Sequence, residues 1–198
     1  MKNYKNIFTS LICVLCFLFF VFDFCQAATL YLSPFTAEYR VGETFLQEVR
    51  IDLEPGENIN VVEINLQYPA DLLEVKDISF GNSILNVIPE KPKISTVSCE
   101  SYGSCGLLSF GGGIIGGYTG RIPGDPGLSN LVAKIIFRVI PREVSRKSAE
   151  IFFQENSRVL LNDGFGTPAK LTTKSSTIEI RFPYSEFEEK EDEWKKEL

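Results

Sequence analysis

The sequence predicts an all-β fold, a β-sandwich of about nine strands with jelly-roll or Greek-key topology. Residues 62–68 alternate apolar and polar side chains without a break. Between residues 28 and 182, further short apolar runs recur between Gly, Pro, Asn and Asp, and no window of a dozen residues shows a helical stripe. A period of two is typical of a strand with one buried and one hydrated face, and a series of such strands is typical of sandwiches.

The first 27 residues have the anatomy of a secretory signal peptide. Lys2 and Lys5 precede an apolar run over residues 11–22, and small residues lie three and one positions before a cut after Ala27. Cleavage before Cys25, as in a lipoprotein, is the alternative, although the residues before it are bulky or charged. We therefore expect an exported chain that is secreted, extracellular or at the cell surface, with no membrane span in its mature form.

Charge and cysteine content narrow the functions of the mature chain. Removal of residues 1–27 changes the net charge from −6 to −7, which argues against nucleic-acid binding. Only Cys99 and Cys105 remain, and their short spacing around Gly103 predicts a local disulfide in an exported protein. A metal or redox pair is disfavoured because the chain has no His and the spacing is not Cys-x-x-Cys.

The first half of the domain contains four strand predictions. A strand at residues 29–33 is followed by an alternating strand at 47–53, which directs Val49, Ile51 and Leu53 inward. A turn at residues 54–58 then leads into the strand at 62–68. That strand ends at Pro69, which cannot donate to a ladder, and a short apolar run follows at residues 71–75.

The second half continues the pattern with more interruptions. Runs at 83–88 and 93–98 flank two prolines, which suits an edge or bent strand. The run at 107–110 enters a Gly-rich passage over residues 111–117, which predicts positive φ or close backbone approach in a bulge or loop at the sheet edge. A strand is predicted at 131–140, with its alternate apolar residues on the core side, and another at 149–153. A strand at 158–161 leads into a hairpin turn at Asn162-Asp163-Gly164, and a last strand at 177–182 closes the domain.

The order of these features resembles that of a cohesin domain over residues 29–182. The segments that carry the resemblance are Val41-Gly42-Glu43, the strand and hook over residues 68–75, Phe80-Gly81-Asn82, residues 106–110, residues 127–137, and Asn162-Asp163-Gly164. The resemblance implies a non-catalytic module that docks a dockerin or another protein through one flat sheet face.

The resemblance also implies which residues form that face. On the third strand of the family pattern the outward residues here are Glu63, Asn65 and Gln67, and Ser109 and Asn162 come from neighbouring strands. Glu63 stands where the family has a contact Asp, whereas Val61 stands where it has a contact Asn. The alternative interpretation of the polar residues is the solvated side of a half-exposed sheet, since polar-out alternation is what any such strand shows.

Other classes of site receive less support. A carbohydrate-binding module is the alternative function; its platform would use Tyr102 and Tyr118, which lie in Gly-flanked loops, and a groove lined by both would favour a polysaccharide. Oxygen donors at Asp125, Asn162 and Asp163 are better explained by turns than by Ca²⁺. With no His and no carboxylate pair at glycosidase spacing, we predict no enzyme activity, cofactor or metal.

The last segment, residues 183–198, changes to a highly charged composition without Gly. A solvated tail or fraying helix is expected because the segment has little apolar surface to bury. Docking of this tail on a surface partner is the alternative. A purely structural envelope component remains a third functional class.

Overall fold

The computed structural model describes residues 28–121, 129–141 and 148–182. The predicted signal peptide, the charged tail and Asp125 lie outside the described residues. The described residues form strands and no helix. The strands are β1 (Ala28–Ser33), β2 (Thr36–Arg40), β3 (Thr44–Asp52), β4 (Ile59–Pro69), β5 (Leu73–Ser79), β6 (Lys93–Cys99), β7 (Gly103–Tyr118), β8 (Leu131–Val139), β9 (Ser148–Phe153), β10 (Arg158–Leu161), β11 (Leu171–Lys174) and β12 (Ser176–Arg181).

The strands form two mixed sheets packed as a sandwich. The five-stranded sheet has the order β11-β1-β3-β8-β5. The seven-stranded sheet has the order β2-β12-β9-β4-β7-β6, and β10 also pairs with β4. All neighbours are antiparallel except β1 with β11 and β2 with β12, which are parallel. The predicted all-β sandwich is confirmed, with more strands than predicted.

Strand β4 shows how the sequence pattern produces the core. Val62, Ile64 and Leu66 are fully buried and Tyr68 is nearly so, whereas the polar residues between them are only half-buried on the other side. Burial of one such large apolar side chain stabilises a fold by about 1.5–3 kcal/mol. The alternation therefore fixes which side of β4 faces the opposite sheet.

The opposite sheet supplies β8 as the counterpart of β4. As predicted, its alternate residues are fully buried, namely Ala133, Ile135, Phe137 and Val139. The ring of Phe137 lies 5.6 Å from that of Phe45 and contacts the Tyr68 ring edge-on at 5.3 Å between centroids. Aromatic pairs of this kind add about 0.5–1.5 kcal/mol beyond their buried area.

One predicted strand is absent, and two strands were not predicted. Strands β2 and β11 were not predicted, because both are short and partly exposed and lack a run of buried apolar residues. Conversely, residues 83–88 form no strand. There the Ile84 amide donates to Leu131 O on β8, whereas Val87 bridges to Gly113 on β7. Because this segment crosses from one sheet to the other, it cannot follow a single ladder.

The Gly-rich passage lies within β7, beyond the ladder with β6, which ends at Ser109. The ladder with β4 shifts register between Gly113 and Tyr118, so the predicted bulge is confirmed. The predicted close approach is confirmed, since a Cβ at Gly111 would lie 2.8 Å from Val62 O and one at Gly112 would lie 2.6 Å from Val87 O. The predicted positive φ is present at Gly116 and Gly117.

The predicted disulfide between Cys99 and Cys105 is confirmed. It joins β6 to β7 across their connecting turn, with 5.8 Å between the two Cα atoms. Cys105 is fully buried, so the bond ties the edge strand β6 to the interior of the sheet. No helix in the described ranges is long and apolar enough to cross a membrane.

Candidate functional site

The outer surface of the seven-stranded sheet around β4 brings together most of the predicted partner-binding residues. We call this surface the β4 face and define it by the outward residues of β4, β7, β6, β9 and β10. Asn65 pairs with Ser109 on β7, and Ser109 pairs with Lys93 on β6, so these residues form one cross-strand row. Ser109 is exposed and makes no side-chain hydrogen bond within the described part of the chain.

Glu63 is held by a neighbour that sequence reasoning did not find. Arg158, the first residue of β10, is its cross-strand partner. The guanidinium donates from Nε to Glu63 Oε2 at 2.6 Å and from Nη2 to Oε1 at 3.1 Å. The hydrogen bond and charge of Glu63 raise the pKa of Arg158 above its ordinary value. The pair places two opposite charges at the surface, and in so exposed a position it contributes little to stability.

Asn65 lies where β4 changes partner from β9 to β10. The Ser157 hydroxyl donates to Asn65 O and accepts from Asn65 N, both at 3.0 Å, and the Gln154 amide donates to the same carbonyl at 2.7 Å. These contacts fill the gap between the two short strands. The Asn65 side chain donates to Asn156 O at 3.2 Å, which orients its amide at the surface.

Gln67 is more fully engaged within the protein. Its Nε2 donates to Cys105 Sγ at 3.2 Å, and its Oε1 accepts from Gln154 Nε2 at 3.2 Å. It lies in a row between Leu107 on β7 and Phe152 on β9, both half-buried. This end of the β4 face is therefore partly apolar and less able to offer new hydrogen bonds.

Asn162 lies beyond the end of β10, away from the Asn65–Ser109 row. Its Oδ1 accepts from Asn60 Nδ2 at 3.3 Å, and its backbone amide donates to Asn58 O at 2.8 Å. The following residue, Asp163, accepts from Thr167 and from the Phe165 amide, which lowers the pKa of its carboxyl. These contacts close a turn, which agrees with the structural role expected of Asn-Asp-Gly.

The two tyrosines of the carbohydrate-binding alternative are far apart. Tyr102 immediately precedes β7 and Tyr118 is the last residue of this 16-residue strand. They lie at opposite ends of the sheet and cannot line one groove. Within the described ranges, no group of three or more acidic, His or Cys side chains lies together as a metal site would require.

Sequence reasoning missed Arg158, Leu107 and Phe152 on the β4 face. Inward placement of Val159 in β10 would have directed Arg158 outward by the period of two. Its pairing with Glu63, however, depends on which strands are neighbours and on their register. The sequence alone specifies neither the neighbours of a strand nor the register of their pairing.

The fold is similar to that of solved cohesins. The sixth cohesin of Acetivibrio cellulolyticus scaffoldin B, in complex with a Cel5 dockerin mutant, has 18% identity and a TM-score of 0.52 over 78% of this chain and 99% of that chain. The third ScaB cohesin of R. flavefaciens, in complex with a group 1 dockerin, has 13% identity and a TM-score of 0.51 over 80% and 97%. The Clostridium thermocellum cohesin of the Coh-OlpA-Doc918 complex has 15% identity and a TM-score of 0.50 over 78% and 99%.

At these identities the likeness concerns the fold, and the cohesin-like sandwich predicted from the order of motifs is confirmed at that level. No protein-family model matches the sequence, and no curated protein matches it significantly.

Proposed function

We propose that this chain is an exported, non-catalytic recognition module that binds a protein partner, of dockerin type or another, through the β4 face. The observation that carries the proposal is a polar sheet surface with Asn65 and Ser109 side by side on a cohesin-like fold. The similar cohesins were solved in complex with dockerins, which supports a protein as the partner.

The composition of the β4 face suits recognition of a protein. Ser109 and the Asn65 amide can form hydrogen bonds with a partner, and the Glu63–Arg158 pair adds orientation through its charges. Half-buried Leu107 and Phe152 supply apolar area at the other end. Interfaces between proteins combine apolar contact area with polar groups that form hydrogen bonds.

A binding test uses the three dockerins named above as probes. We expect the double variant Glu63→Arg with Asn65→Ala to lose capture of any dockerin that binds the unaltered protein, because it breaks the pairing with Arg158 and removes the amide next to Ser109. Surface plasmon resonance measures the affinity, and thermal unfolding checks the fold.

The matched control is Glu74→Arg. Glu74 is an exposed carboxylate paired with Lys76 on β5, in the other sheet, so the same charge change there leaves the β4 face intact. Full capture by the double variant would reject the β4 face. Binding to a polysaccharide panel with no dockerin bound would instead support the carbohydrate-binding alternative.

A further inference from the structure

A groove of about 370 Å³ runs along the β4 face above the glycines of β7. Its floor is the backbone of β7, because the outward positions Gly111 and Gly113 have no side chain. One wall is β4, and the other is the segment from residue 87 to residue 93. Neighbouring strands lie about 4.8 Å apart, so backbones on either side of β7 are about 10 Å apart, which leaves room for one side chain.

Two valines flank the groove in one cross-strand row. Val61 pairs with Gly113 from the β4 side, and Val87 pairs with Gly113 from the other side. Residues that pair in a ladder direct their side chains to the same face, so two valines flank the position of a missing side chain. Val87 is 43% exposed, which leaves an apolar surface open to solvent.

The fold itself does not require glycine at position 113. Gly111 and Gly112 are required because a Cβ at either would come within 3 Å of a backbone oxygen. A Cβ at Gly113 would make only ordinary contacts, 3.6 Å from Val87 Cβ and 3.8 Å from Asn60 O, and φ there is not in the left-handed region. Because Gly113 has no side chain, the space between Val61 and Val87 is open.

The charged side chains at the mouth of the groove favour a negatively charged group of a partner. Glu63 is paired with Arg158, and Glu90 is paired with Lys93. Lys91 also lines the groove and is exposed, with no ion-pair partner among the residues that the structure describes. The unbalanced charge is thus positive, and it would attract a carboxylate.

We propose that this groove receives one aliphatic or aromatic side chain of the protein partner, next to an Asp or Glu that faces Lys91. The inference rests on the proposed function, because the groove is part of the β4 face. It adds an anchor residue and a charge preference to that function. Buried apolar anchors in a pocket commonly dominate the affinity of an interface.

The test combines the same three dockerins with a phage-displayed library of random short peptides. Gly113→Val fills the groove, and Lys91→Glu reverses the charge at its mouth without touching the core. We expect each to weaken binding at least tenfold. The matched control, Thr173→Val on β11, places an exposed valine on the other sheet and should bind as the unaltered protein does. Selected peptides should share an apolar residue beside a carboxylate.

The outcomes separate this inference from the proposed function. If a dockerin binds the Gly113→Val and Lys91→Glu variants as tightly as the unaltered protein, the groove is not the anchor site, although the β4 face can still be the interface. If no dockerin binds, the proposed dockerin-type function fails, and the sequences of the selected peptides then test the groove inference. Selected peptides that lack the apolar residue, or that bind the Gly113→Val variant equally well, would overturn the inference. If the Gly113→Val variant does not fold, the binding of the Lys91→Glu variant still tests it.

Discussion

Gly106 illustrates, at the scale of single residues, how one missing side chain organises the core. It pairs with Tyr68 across β4 and β7, and the Tyr68 ring lies directly over it. A Cβ at Gly106 would come 2.1 Å from Cζ of that ring. The ring in turn makes edge contact with Phe137 in the opposite sheet. The position of one glycine thus decides how the two sheets meet near this end of β4.

Replacing Gly106 with Ala should therefore destabilise the fold. The added methyl would displace the Tyr68 ring from Phe137, and overpacking of this kind costs about 1–3 kcal/mol. Urea unfolding monitored by circular dichroism measures the change. Gly113→Ala is the matched control, because it has room for the methyl and should alter stability by less than about 0.5 kcal/mol. Equal stability of the two variants would show that the ring can move without cost.

The hydroxyl of Tyr68 gives a prediction about pH. Burial, and to a lesser extent the charge of Glu74, raises the pKa of Tyr68 above 10.0. The unfolded chain ionises near pH 10 while the folded protein keeps its proton, so stability that is fully present below pH 10 should be lost as pH rises towards the folded pKa. Ultraviolet absorbance of tyrosinate should show a late step that is absent in Tyr68→Phe. A Tyr68 that titrates at its ordinary pKa in the folded protein would contradict this.

At the scale of elements, β6 depends on its connection to β7. It is an edge strand with nearly every residue exposed, so little apolar burial holds it in place. The disulfide between Cys99 and Cys105 supplies the missing constraint by closing a short loop. An edge strand fixed in this way also keeps Lys93 in its row on the β4 face.

The double variant Cys99→Ser with Cys105→Ser should lower the free energy of unfolding by about 2 kcal/mol, the loop-entropy value for so short a ring. Hydrogen exchange should accelerate most at the amides of β6. The unaltered protein under reducing conditions provides the comparison and should behave alike. Unchanged protection of β6 in both would mean that its ladder with β7 is sufficient.

The elements also show what the sequence can predict. Strands β4 and β8 were predicted because each buries one face, and this burial requires apolar residues at alternate positions in the sequence. Strands β2 and β11 bury little and are held by pairing with distant parts of the chain, which local patterns do not reveal. In the same way, Glu63 and Asn65 could be placed outward from β4 alone, whereas Arg158 and the groove above Gly113 depend on neighbouring strands.

At the scale of the whole molecule, the inner faces of the sheets and the outer β4 face differ in composition. The inner faces of the two sheets hold nearly all the fully buried apolar residues. The β4 face carries polar groups and a groove, and most of its side chains do not pack in the core. Residues on that face can therefore change with modest effect on stability. The groove is the exception, because two of its three glycines are needed for strand packing.

The parallel pairs β1 with β11 and β2 with β12 join the beginning of the described chain to its end in both sheets. Each sheet gains an outermost ladder only when residues 171–181 are present, so a shorter chain cannot complete either sheet. Because these ladders join distant parts of the sequence, they should form late in folding, and fragments that lack residues 171–181 would leave unpaired strand edges that invite aggregation.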